Sequence, residues 1–89
     1  MNAAELSDRM AGEAANIAAY LLPAGKRKSG EWVAGSTGGE AGSSLSVRLS
    51  GAKAGVWKDF AAGEGGDLLD LWAKVRGLTI AQAMVEAMQ

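Results

Sequence analysis

Cysteine and histidine are both missing from this chain, which excludes disulfide cross-links and removes the soft ligands on which structural zinc sites are usually built. Their absence also disfavours unaided catalysis. A nucleophile paired with a base would need unusual chemistry, and no serine sits in an elbow motif. A binding module is therefore expected rather than an enzyme. No apolar run approaches the ~18 residues of a membrane span, and the N-terminus lacks a basic-then-apolar signal, so a soluble, cytoplasmic protein is expected. At 89 residues the chain is one domain near the size where core burial becomes marginal. Without metal or disulfide its stability must come from packing, for which Trp32, Trp57, Trp72, Phe60 and Tyr20 are the large candidates.

The net charge of −1 excludes a strongly basic nucleic-acid binder, but the charges are unevenly placed. Lys26, Arg27, Lys28, Arg48, Lys53 and Lys58 face only Glu31, Glu40 and Asp59 in the middle of the chain, while both ends are acidic.

Leu6, Met10, Ala14, Ile17 and Leu21 recur at helical spacing, which predicts an amphipathic helix over 1–22 ended by Pro23. A sheet is expected over 31–60. "EWVAG" reads as a short strand; "LSVRLS" alternates Leu45, Val47 and Leu49 against Ser46, Arg48 and Ser50; "VWKDF" puts Val56, Lys58 and Phe60 on one face and Trp57 and Asp59 on the other. "PAGKRKSG" is read as a basic turn and "STGGEAGSS" as a loop. A helical pair follows over 67–89. Asp67 with Asp70 caps the first helix, whose stripe is Leu68, Leu71, Trp72 and Val75. Gly77 closes it, and Thr79 with Gln82 caps the second, with Ile80, Met84 and Met88 on one face. The expected class is α+β: an N-terminal helix, a three-stranded antiparallel sheet and two C-terminal helices.

The glycine knot "GEGGDL" fails as a dinucleotide loop, because Leu68 stands where the third glycine belongs and no βαβ unit surrounds it. It lacks the Lys-Ser or Lys-Thr pair of a Walker loop, and Asp67 sets a carboxylate where a phosphate would lie. A calcium loop built on Asp59, Glu64, Asp67 and Asp70 fails too, since Ala61 and Gly63 occupy positions that need side-chain oxygens. What remains is the strand region, where Trp32, Arg48, Lys53, Trp57 and Lys58 combine charge for phosphates with rings for bases, as a single-stranded nucleic-acid site requires. The competing account makes the tryptophans core and the cations solubilising.

The order "EWVAGS", "SLSV", "GVWKDFAAGEGGDLLDLW", "GLTIAQAM" resembles the zinc-binding N-terminal domain of bacterial and phage DNA primases, most closely the primase-helicase form of phages and mobile elements, over about residues 17–88. In that family a strand ends in Cys-Pro-x-His, an SxSV-like strand follows, then Cys-x-x-Cys, then a Gly-Asp that opens a Leu-rich helix. The resemblance sets the ligands at Gly35, Gly38, Asp59 and Ala62, so no zinc and no other cofactor is expected, and the glycine knot looks like the remnant of a zinc knuckle. It implies a zinc-ribbon-like sheet and a module that contacts single-stranded DNA beside a primase or helicase catalytic domain. A second class stays open, a small phage or mobile-element protein that binds a host protein complex and blocks a nucleic-acid-guided defence. The end at Gln89 in mid-helical pattern favours a piece of a longer chain, and the start at Met1 a stand-alone protein.

Overall fold

The computed structural model describes all residues from Met1 to Gln89, and its class is α+β. The chain begins with two helices rather than one, α1 (Ala3–Ala11) and α2 (Ala14–Leu21). Gly12 interrupts the expected single helix. Its amide and that of Glu13 tighten onto Arg9 and Met10, and Glu13 leaves helical geometry at φ −119°, ψ 28°. Asn2 caps α1 by accepting from the Glu5 amide at 2.9 Å.

Five strands follow instead of three: β1 (Lys26–Lys28), β2 (Glu31–Ala34), β3 (Leu45–Arg48), β4 (Trp57–Asp59) and β5 (Glu64–Gly66). They form one antiparallel meander in sequence order. The three inner strands are the three expected from the sequence. The two edges are additions: the expected basic turn is strand β1, and part of the glycine knot is strand β5. The sheet then leads into α3 (Leu68–Arg76) and α4 (Ile80–Ala87).

Register decides what each face carries. Ala34, Leu45 and Asp59 form one cross-strand row, and Trp32, Val47 and Trp57 the next. Both rows face the helices, where Leu45, Val47 and Trp57 join Leu6, Met10, Leu21, Leu68 and Leu71 in a single core. The inward set of α3 follows the expected stripe, with Leu68, Leu69 and Leu71 buried and Trp72 and Val75 packed at its margin. In α4 the inward residue is Ala83, while Ile80 and Met88 are exposed, so the expected Ile80, Met84, Met88 face is not the buried one. α4 is instead held to α3 by Glu86, which accepts from Trp72 Nε1 at 2.9 Å and from Arg76 Nε at 2.7 Å. The Arg76 hydrogen bond, then that of Trp72, holds the Glu86 carboxyl below the usual carboxylate range.

Both expected caps are present. Asp67 Oδ1 accepts from the Asp70 amide at 2.9 Å and Asp70 Oδ2 from the Asp67 amide at 3.1 Å; Thr79 and Gln82 make the equivalent pair. Burial pushes both carboxyls of the first box up. Hydrogen bonds from the Asp70 amide and the Ser7 hydroxyl outweigh it at Asp67, whose pKa lies below the ordinary value, whereas Asp70 stays above it. Gly77 ends α3 in the left-handed conformation, φ 67°.

Candidate nucleic-acid interface

The sheet face opposite the helices carries two rows of different character. Lys26, Val33, Ser46 and Lys58 lie side by side across β1 to β4, and Lys28, Glu31 and Arg48 form the adjacent row. Four exposed cations thus share, with one carboxylate, the side of the sheet that no helix covers. At a strand spacing of about 4.8 Å, Lys26 and Lys58 are separated by roughly 14 Å. Arg48 Nε lies 3.7 Å from Glu31 Oε2, an exposed pair that contributes little and leaves the guanidinium available. Lys26, Lys28 and Lys58 enter no ion pair.

The residues expected to form the site separate into three groups. Arg48 and Lys58 are exposed on this face, and Lys53 is exposed in the β3–β4 turn at its end. Trp32 is half-buried on the opposite face, its Nε1 donating to the Leu22 carbonyl at 2.9 Å. Trp57 is 1 % exposed and its Nε1 donates to the Asp67 carbonyl at 2.7 Å, so it is a core residue whose ring no base can reach. On the sheet the aromatic side chain that reaches solvent is Phe60, 72 % exposed, and it follows Lys58 on the outer face rather than joining the core as expected. Tyr20 corrects the same way: it is 60 % exposed and tilts against Trp72 with ring centroids 5.4 Å apart.

Lys26 and Lys28 were hidden because a turn has no faces. Strand geometry gives them one, since side chains at alternate positions project to the same side. The only signal in the sequence was the Lys-Arg-Lys run itself.

The positions aligned with zinc ligands do not fit a metal. Gly35, Gly38 and Ala62 offer no side-chain donor, and no cluster of acidic side chains is close enough to hold an ion. Asp59, 2 % exposed, spends its Oδ1 on hydrogen bonds from Ser44 Oγ at 2.8 Å, Ala61 N at 3.1 Å and Ala62 N at 3.2 Å. These bonds, led by that of Ser44, lower its pKa and close the turn after β4. At the end of β2, a Cβ on Gly35 would stand 2.5 Å from a carboxyl oxygen of Glu40, and one on Gly38 3.0 Å from the other. The Glu40 carboxylate fills the space between them and accepts from Ser36 Oγ at 2.8 Å.

Comparison of the chain with protein-family models, with curated proteins and with solved structures finds no match.

On the helical side, an apolar groove of about 560 Å³ runs between α2 and α4, with Ile17, Tyr20 and Trp72 on its floor and Glu13 and Glu86 at its rim. No helix is long and apolar enough to cross a membrane.

Proposed function

We propose that the protein is a metal-free, zinc-ribbon-like module of the primase type that contacts single-stranded DNA through the outer face of its sheet, as an accessory to priming by a primase or helicase catalytic domain. The observation that carries this reading is the group of exposed cations Lys26, Lys28, Arg48 and Lys58 on one sheet face, with exposed Phe60 beside Lys58. Such a surface offers cations to a phosphate backbone and one ring face to a base. On the opposite side Lys74 is paired with Glu64 and Arg76 with Glu86, and Arg9 and Arg27, which enter no ion pair, are outnumbered by the equally unpaired Glu5, Asp8 and Glu13. Polarity of this kind orients a polyanion toward the sheet although the net charge is −1.

The test is binding of labelled oligothymidylate across a salt series. Affinity should fall linearly on logarithmic axes, and Arg48→Ala with Lys58→Ala should flatten the slope by about 0.7 for each phosphate that is no longer neutralised. Lys74→Ala with Arg76→Ala should change it less. Absence of measurable affinity at low salt would end this reading.

A second reading, a phage or mobile-element protein that binds a host nucleic-acid-handling complex, draws on the groove floored by Tyr20 and Trp72. An exposed aromatic such as Tyr20 in an apolar groove is a common anchor of protein interfaces. Loss of a partner on Tyr20→Ala, with oligothymidylate binding absent, would favour it.

A further inference from the structure

Where β1 meets the loop between β2 and β3, the outer face has a cavity of about 300 Å³. Its floor is Val33, which is only 6 % exposed although it lies on the side of the sheet that no helix covers. Lys26 and Lys28 form one wall and the Ala41–Ser43 segment the other, and no carboxylate is among the lining residues. Glu40, the acid nearest in sequence, is bound to Ser36 instead.

The loop wall is held in place. A Cβ on Gly42 would stand 2.6 Å from the Gly35 Cα, a backbone-to-backbone approach that only glycine allows, and the Gly35 amide donates to the Glu40 carbonyl at 2.7 Å. Just beyond, Ser44 is anchored to Asp59. Yet the amides of Gly42 and Ser43 donate to no backbone carbonyl, and the Ser43 side chain is exposed. A fixed loop with free donors, opposite two unpaired ammonium groups and over an apolar floor, is a surface prepared for an anion.

We propose that this cavity is a phosphate subsite that seats one phosphodiester of a single strand lying across the outer face. Lys26 and Lys28 neutralise the charge, and the Gly42 amide, Ser43 amide and Ser43 hydroxyl donate to the non-bridging oxygens. The inference rests on the outer face being the DNA-contacting surface and fixes where on it a strand is gripped. Lysines that merely keep the edge strand soluble would give no saturable response to phosphate.

The experiment follows the Gly42 and Ser43 amide resonances while the protein is titrated with inorganic phosphate, and separately with oligothymidylate, at constant ionic strength against chloride. Both probes should move these two resonances saturably. The Lys26→Ala/Lys28→Ala variant, whose replaced side chains are exposed and whose melting should be unchanged, should lose the phosphate response and bind oligothymidylate roughly tenfold more weakly. If that variant binds oligothymidylate as tightly as the parent while Arg48→Ala/Lys58→Ala does not, the subsite is overturned and the functional reading stands. A saturable phosphate response without oligothymidylate binding keeps an anion site but overturns its assignment to a nucleic-acid strand. Silence of both amides toward both probes overturns the subsite outright.

Discussion

The Lys58 ammonium lies 5.7 Å from the centroid of the Phe60 ring on the outer face of the sheet. Here a cation and an exposed ring meet beside β4, so a base stacked on Phe60 would have its phosphate within reach of Lys58. Phe60→Ala should weaken oligothymidylate binding by about 1–3 kcal/mol. Its melting temperature should scarcely move, since so little of the ring is buried. Unchanged affinity in a salt titration would remove stacking from the interface and leave a purely electrostatic surface.

Trp57→Ala should show the opposite pattern. Removing a fully buried indole leaves a cavity and deletes its hydrogen bond to the Asp67 carbonyl, at a cost of about 3–5 kcal/mol in folding. Urea unfolding measures this. A loss of DNA affinity without a loss of stability would mean that Trp57 leaves the core in solution.

Asp59→Asn tests whether a carboxylate closes the turn after β4. The native pKa is depressed by the Ser44 hydroxyl and then by the Ala62 and Ala61 amides, so the charge stabilises the fold above the ordinary carboxylate range and that contribution disappears as pH falls through the lower native value. The parent should therefore be more stable than the variant at neutral pH, with the gap closing below about pH 4. Melting temperatures of the two proteins across that range supply the comparison, and a gap independent of pH would assign the turn to shape rather than charge.

Asp67→Ala should cost about 0.5–2 kcal/mol, because the Asp70 amide loses its acceptor at the start of α3. Chemical denaturation reads the loss, and Asp67→Asn, which keeps an acceptor oxygen, should recover most of it.

Treatment with a chelator should leave the melting temperature unchanged, and elemental analysis should find no stoichiometric zinc. The basis is the donor set at Gly35, Gly38, Asp59 and Ala62, in which Asp59 alone offers side-chain oxygens and its Oδ1 is already engaged.

Strands β3 and β4 and the capping boxes that open α3 and α4 were legible in the sequence because each has a period or a spacing to betray it. Edge strands β1 and β5 have neither. Lys26–Lys28 is charged at every position, and Glu64–Gly66 contains two glycines, which disfavour strands, so both are recruited by the open hydrogen-bonding groups of a neighbour. Alternation separated Trp57 from Phe60 without saying which faces inward. Asp59 shares the face of Trp57 and makes it look solvent-facing; Ser44 and two amides are what allow that carboxylate indoors. For the site, Arg48 and Lys58 could be read from strand phase, whereas Lys26 and Lys28 acquire a common direction only once β1 exists.

Strand β1 is also an open edge, the kind of surface on which sheets add strands from other molecules and grow into aggregates. Its guard is the charge of Lys26, Arg27 and Lys28, since two copies meeting edge to edge would oppose like charges along the whole strand. Protection of that sort depends on the medium. The Debye length shrinks from about 10 Å at 0.1 M salt to about 3 Å at 1 M. The sheet is therefore best defended against self-association at low ionic strength, and concentrated salt strips the guard from its edge.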